Sequence, residues 1–330
     1  MAGLGNVIGQ ESIVTHMKNA IKLHKISHAY ILNGEAGMGK KTIAKAFAMT
    51  LQCEKGQDEP CMECHSCKQA LSQNHPDIKW VTHEKVSTIS VNDVREQINN
   101  DMVVKPYSSE YKIYIVDEAE KMNANAQNAL LKTIEEPPAY GIIILLVNNK
   151  DSFLQTILSR CVALDLKPLK KEQIIQYLME KEQIPYYQAK VAATFAAGNL
   201  GRAIKLGSME DFNKLKDMTI LQLKNLHNAT ATDIAGYVKE LTVYKGNISE
   251  YTDLLTAWFR DVLIYKASRD INELIFKDMV NVIEKYSTNM SYNGIEETFI
   301  NIMKVQTRLR ANVNFELTMQ LLLMSIRDNF

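Results

Sequence analysis

The residues best suited to chemistry fall in four groups. Gly34, Gly37, Gly39 and Lys40 lie in Gly34-Glu35-Ala36-Gly37-Met38-Gly39-Lys40-Lys41-Thr42, close to the G-x-x-x-x-G-K-[ST] spacing of a phosphate-binding loop. Glycines let successive backbone N–H groups converge on an anion, a helix N-terminus adds a favourable dipole, and Lys40 is placed to reach terminal phosphates. One position departs from the pattern. Lys41 stands where a Ser or Thr hydroxyl would ligate Mg²⁺, and Thr42 comes one residue later. A helix turns about 100° per residue, so Thr42 does not simply replace that hydroxyl.

The second group is Asp117-Glu118, closing the apolar run Ile113-Tyr114-Ile115-Val116. Acids at the carboxyl end of a buried strand sit where open α/β sheets bind ligands. In P-loop enzymes the first, Asp117, helps to hold Mg²⁺, and the second, Glu118, polarises the attacking water. A solvated acidic turn is the plainer reading of these two residues taken alone. Third, Asn148, with Asn149 second, follows the apolar strand Ile142 to Val147 and is a candidate to touch a γ-phosphate or its water. Arg160, in Ser159-Arg160-Cys161, reads by itself as a surface arginine. Fourth, Cys53, Cys61, Cys64 and Cys67 have the spacing C-x₇-C-x₂-C-x₂-C. Four thiolates make a closed tetrahedral structural Zn²⁺ site, with free loop thiols as the alternative. His65 and His75 could substitute, though four cysteines need neither. The segment also carries Glu54, Asp58, Glu59 and Glu63 against Lys55 and Lys68, so it reads as structural or protein-facing rather than as a phosphate grip.

The elements that must position these groups alternate strand and helix to about residue 167. The pattern predicts a helix with Ile13, Met17, Ala20, Ile21 and Leu23 on one side, a strand Ala29 to Asn33, and a helix from Thr42 to about Leu51. Next come a helix Lys68 to Ser72, a strand Ile78 to Val81, and a capping box at Ser90 and Asp93 for a helix Val94 to Met102. A buried strand Tyr111 to Val116 and a helix Asn123 to Glu135, stopped by Pro137-Pro138, precede the strand Ile142 to Val147. This predicts a doubly wound α/β domain over 1–167 with the cysteine insertion at 53–67. After Pro168 the periodicity is helical: a small helical lid over 168–207, then an all-helical domain over 208–330. Its clearest helices are expected at Thr252 to Ala267, Ile271 to Tyr286, Ile295 to Ala311 and Phe315 to Ile326. Leu317, Leu321 and Leu322 are expected in its core.

Bulk properties narrow the classes. The 330 residues suffice for two or three domains, with 46% hydrophobic and 23% charged residues and 38 basic against 38 acidic. A zero net charge gives no overall argument for nucleic-acid binding. No apolar run is long enough for a membrane helix. The start Met1-Ala2-Gly3-Leu4 lacks the features of a signal peptide. A cytoplasmic protein with no membrane partner is the expectation.

Several motifs together carry a resemblance. Val7-Ile8-Gly9-Gln10, the cysteine insertion after the P-loop helix, Asn128-Ala129-Leu130-Leu131-Lys132-Thr133-Ile134-Glu135-Glu136-Pro137-Pro138 and Ser159-Arg160-Cys161 look like a bacterial clamp-loader subunit of the AAA+ class. Arg308-Leu309-Arg310-Ala311-Asn312-Val313-Asn314-Phe315-Glu316-Leu317 resembles that family's last helices, so the likeness covers essentially the whole chain. The family holds motor subunits (gamma/tau), with an intact G-K-[ST] loop and usually a longer tail, and delta-prime subunits of DNA polymerase III. Lys40-Lys41 and a chain of 330 residues match the delta-prime type better.

The resemblance implies an AAA+ P-loop NTPase-like domain, a lid and a helical collar. It implies assembly with gamma/tau and delta into a hetero-pentamer that opens the beta sliding clamp and places it on primed DNA. Arg160 would be an arginine finger acting in trans on a neighbour's ATP, and Arg202 the lid arginine (sensor 2). The four cysteines would hold Zn²⁺, with a first spacing one residue shorter than the family's usual pattern. ATP and Mg²⁺ would bind poorly or not at all, and the isolated chain would show little ATPase or polymerase activity. Two rivals remain: an autonomous or motor-type ATPase using Lys40, Asp117, Glu118 and Asn148, and a zinc-dependent nucleic-acid binder, against which the acidic insertion and zero net charge speak.

Overall fold

A computed structural model describes residues 3–56, 58–83, 87–208, 210–311 and 313–330. Met1, Ala2 and Asn312, named above, lie outside the described residues. The chain forms two units, Met1–Tyr177 with Ala197–Arg202, and Leu178–Ala196 with Ala203–Phe330. The segment 168–207, expected as a lid, is divided between them.

In the first unit the elements run α1 (Glu11–Lys22), β1 (Ala29–Asn33), α2 (Lys40–Leu51), α3 (His65–Leu71), β2 (Ile78–Val81), α4 (Val91–Val94), a π-helical turn Arg95–Asn99 and α5 (Asn100–Met102). They continue with β3 (Lys112–Val116), α6 (Ala124–Glu135), β4 (Gly141–Val147), α7 (Gln155–Leu158) and β5 (Val162–Asp165). The five strands form one sheet in the order β2-β3-β4-β1-β5, all parallel. Side chains alternate across it, which divides the core in two. Tyr30, Leu32 and Ile144 pack with Ile43 and Phe47 of α2 on one face. Ala29, Ile31 and Leu145 pack with Leu130 and Ile134 of α6 on the other. Burial on both faces explains the unbroken apolar runs of β3 and β4.

The exception, Lys112 on β3, is 4% exposed, and its ammonium donates to the Asp101 and Val104 carbonyls at 2.7 and 3.1 Å. It also pairs with the Asp101 carboxylate at 3.0 Å, and Tyr114 donates to the same oxygen at 2.6 Å. The buried charge is thereby fully partnered. The Ser90 capping box forms with Asp93, but the helix starts at Val91 and passes through the π-turn.

The second unit is helical throughout its described residues. The remaining helices are α8 (Lys171–Glu180), α9 (Tyr186–Phe195), α10 (Leu200–Ser208), α11 (Glu210–Asn225), α12 (Ala231–Leu241), α13 (Ile248–Ser268), α14 (Val280–Asn289), α15 (Tyr292–Arg310) and α16 (Phe315–Asp328). The second unit's core is aromatic, with Trp258 5.6 Å from Phe276 and Phe259 5.9 Å from Tyr286, centroid to centroid.

Two expectations fail here. The helix expected from Ile271 to Tyr286 is replaced by 3-10 turns Ile271–Glu273 and Lys277–Met279 ahead of α14. The fully buried Asp261 carboxylate accepts the N–H groups of Ile275 and Phe276 at 2.6 and 2.8 Å, which a continuous helix would use internally. Leu322 is buried as expected, but Leu317 and Leu321 are 54% and 49% exposed on the other side of α16. Among the described residues no helix is long and apolar enough to cross a membrane.

Candidate functional site

Neighbouring parallel strands deliver the first three groups to one edge. β1 ends at the P-loop, β3 at Asp117 and β4 at Asn148, with Asn33 in register with Val147 and Val116 with Leu145. Around these strand ends lies a cavity of about 510 Å³, lined by Gly37, Gly39, Lys40, Lys41, Thr42, Asp117, Glu118 and Asn148. Gly37 and Gly39 have φ of 90° and 96°, the left-handed region that side chains disfavour. Gly39 is the N-cap of α2, and no side chain caps the helix there. The first-turn N–H groups therefore receive no side-chain cap from that position.

The cations and acids of this edge are engaged with one another. Lys40, 8% exposed, donates to the carbonyls of Gly34 and Glu35, the latter at 3.1 Å, and to Asn148 Oδ1 at 2.7 Å. Burial lowers its pKa, with Glu120 and Asp117 pulling the other way. Lys41 Nζ lies 2.6 Å from Asp117 Oδ2. Glu118, at φ 48°, turns to Lys121 at 2.6 Å. Glu120 accepts from Asn148 through its side-chain and backbone N–H groups at 2.5 and 3.3 Å.

The Mg²⁺ that a P-loop implies does not fit this arrangement. The acid that would help to hold it is in contact with an ammonium, and that ammonium belongs to the position where the hydroxyl ligand is wanted.

Of the residues expected at a nucleotide, Gly34, Asn149, Arg160 and Arg202 lie outside the cavity lining. Arg160 Nη2 pairs with Glu135 Oε1 at 3.0 Å, and Nη1 donates to the Thr156 carbonyl at 3.0 Å. Arg202 is in the first turn of α10, where its N–H donates to Asn199 Oδ1 at 3.1 Å. Sequence reasoning missed Asn199 and Glu120. The Asn199 amide donates to the Ala36 carbonyl at 2.7 Å, and the Gly201 N–H donates to the Gly37 carbonyl at 2.9 Å, so this turn props the P-loop. An Asn just ahead of a helix is a legible cap signal; its reach to the loop is not. Glu120 follows the two acids by one 3-10 turn, Ala119–Lys121, which carries it to Asn148.

The four clustered cysteines come together, with all four Sγ atoms within 4.8 Å of one another. A tetrahedral zinc with Zn–S of about 2.3 Å needs sulfurs about 3.8 Å apart, and Cys61 and Cys67 Sγ stand 4.0 Å apart. The N–H groups of Cys61, Cys64 and Cys67 point at Cys53, Cys61 and Cys64 Sγ at 3.4, 3.3 and 3.3 Å. Such donors suit thiolates. The N–H groups of Glu63 and Cys64 hold the Cys61 thiol down to about 6, while burial pushes Cys67 up. The donor set fits a structural metal ion such as zinc. Cys64 also caps α3, which begins three residues ahead of the expected Lys68. The acidic residues of the insertion are used locally: Glu59 pairs with Lys18, Asp58 with Lys22 and Glu63 with Lys55 at 2.5, 2.7 and 2.9 Å. His75 is no ligand substitute, since its Nε2 lies 2.9 Å from Ser66 Oγ and its Nδ1 accepts from the Asp77 N–H.

Comparison with known proteins follows the same lines. Residues 9–170 match the family described as DNA polymerase III, delta subunit, and residues 220–328 match DNA polymerase III, delta subunit, C terminal. The chain is 27% identical over 328 residues to DNA polymerase III subunit delta' of Bacillus subtilis, covering 97% of this chain and 96% of that one. It is 30% identical over 314 residues to the tau subunit of the same organism, covering 88% of this chain but 54% of tau, about half its length. Among solved structures it is similar to Thermotoga maritima RuvB, at TM-score 0.44 and 17% identity over 67% of this chain and 66% of that one. The chain belongs to the AAA+ clamp-loader subunits of DNA polymerase III, in the delta-prime family.

Proposed function

We propose that this chain is the member of the loader that supplies an arginine finger in trans. It assembles with gamma/tau and delta, and the complex loads the beta sliding clamp onto primed DNA. The observation that carries this reading is the placement of Arg160. Its side chain is 41% exposed two residues past α7 and outside the lining of its own P-loop cavity, which leaves it open to a neighbour's nucleotide. A guanidinium reaching a neighbour's γ-phosphate would offset the charge that builds there during transfer. In this reading residues 1–167 are the AAA+ domain, 168–207 the lid with Arg202 as its sensor arginine, and 208–330 the collar. The exposed pair Leu317 and Leu321 offers α16 an apolar strip for a neighbouring collar.

The rival reading, an autonomous ATPase, needs Asp117 and Glu118 free for metal and water. Their pairing with Lys41 and Lys121 speaks against it. The test is reconstitution. Mixed with gamma/tau and delta, the chain should co-elute in one complex on size exclusion with light scattering, and omitting it should abolish clamp loading on primed DNA. Full loading without it, or robust ATP turnover by the chain alone, refutes the proposal.

A further inference from the structure

The structure assigns to the P-loop cavity a phosphate chain bound without a divalent cation, with the Lys41 ammonium standing where the cation would bridge protein and phosphate. This rests on the phosphate-loop reading of the site and is independent of the arginine finger.

The cradle is present. Gly37 and Gly39 hold the left-handed turns, the first turn of α2 has no side-chain cap, and Lys40 reaches into the same cavity. What is altered is the metal position. Three carboxylates stand at this edge, and each already has a protein donor. Asp117 has Lys41 at 2.6 Å, Glu118 has Lys121 at 2.6 Å, and Glu120 takes both Asn148 donors. A magnesium ion here would have to displace an ammonium from Asp117 and then remain beside it, two positive charges in one small space. It would also lack the hydroxyl ligand of the usual loop.

Lys41 is 66% exposed, so it is free to swing from Asp117 to an incoming phosphate oxygen. Lysine binds phosphate as a point charge and needs no fixed geometry. Asp117, still 27% exposed, keeps water when its partner leaves. Lys40 and Lys41 then contribute two positive charges where magnesium and one lysine contribute three in a metal-dependent loop, and Glu118, the acid placed to polarise water, stays paired with Lys121. The bound phosphate chain is held and not cleaved.

The experiment is calorimetric titration of the full chain with ATP, once in excess EDTA and once in excess Mg²⁺, with inorganic triphosphate as competitor. Binding is expected in EDTA and should be no tighter in Mg²⁺, because the metal cancels charge that Lys41 would otherwise meet. Lys41→Ala should weaken binding in EDTA about tenfold or more, the loss of one charge-assisted contact. Lys41→Thr, which restores the hydroxyl, should make binding magnesium-dependent. Thermal unfolding of each variant without ligand checks that the loop is intact. Triphosphate should compete with ATP. Absence of binding in EDTA, tighter binding of the unaltered chain in Mg²⁺, or failure of triphosphate to compete overturns the proposal. None of these results touches assembly or Arg160, which are read in the reconstituted complex.

Discussion

Replacing Glu135 by Gln removes the charge that holds Arg160 in this chain while keeping the side chain's shape. The pair is short, 3.0 Å, but its partners are 41% and 46% exposed. Pairs of that kind contribute about 0.2–1 kcal/mol, at most about a fivefold bias toward the parked position. An arginine finger is worth about 10³–10⁵ in rate, or about 4–7 kcal/mol. Releasing Arg160 from Glu135 therefore costs at most about a quarter of what it would gain at a neighbour's phosphate. Hydrolysis in the assembled loader, at the ATP site facing this chain, should stay unchanged or rise up to about fivefold in Glu135→Gln. The difference should shrink as salt screens the pair. The assay is single-turnover ATP hydrolysis by the reconstituted complex at two ionic strengths. A fall in Glu135→Gln as deep as that of Arg160→Ala would show instead that the ion pair is the working arrangement.

Other consequences follow from the same structure. Native chain should contain one zinc, lost in Cys61→Ser; structural zinc contributes about 10–16 kcal/mol in small peptides, so amide exchange across His65–Leu71 should accelerate sharply, and metal-free native protein would dispose of the assignment. Asp101 is half-hidden, and burial raises its pKa, yet hydrogen bonds from Lys79, Tyr114 and Lys112 outweigh this and leave it below the usual carboxylate value. Its contribution is therefore present above about pH 4 and lost as pH falls through the depressed value. Tyr114→Phe should cost about 1.5–3 kcal/mol near neutrality and less in acid, and urea titrations showing a pH-independent loss would contradict this. On α16, Leu321→Glu should leave the monomer's melting temperature almost unchanged while weakening assembly, whereas Leu322→Ala should cost about 2–5 kcal/mol of folding stability; equal effects on the monomer would erase the distinction between the two faces.

Local signals made much of the first unit legible. Apolar runs five to seven residues long, each ending in a glycine loop, an acid or an amide, placed β1, β3 and β4 and their functional ends. The Ser90–Asp93 capping box and the Cys-x₂-Cys pairs were readable because their partners lie within a few residues. Contacts made across long separations were not. Nothing local joins Lys41 to Asp117, Arg160 to Glu135, or Asn199 to Ala36. The segment after Ile271 has helical spacing, yet the buried Asp261 claims its N–H groups. Along α16 leucines occupy both the buried and the exposed side, and periodicity alone does not say which side meets the core.

Arg160 is proposed to work on another subunit's nucleotide. Its most direct test is single-turnover ATP hydrolysis by a loader reconstituted with Arg160→Ala, after size exclusion has shown that the complex still forms. Hydrolysis at the ATP site facing this chain should fall by about 10³ or more, with assembly and the other sites unchanged. An intact complex that hydrolyses ATP at the unaltered rate at that site would contradict the proposal.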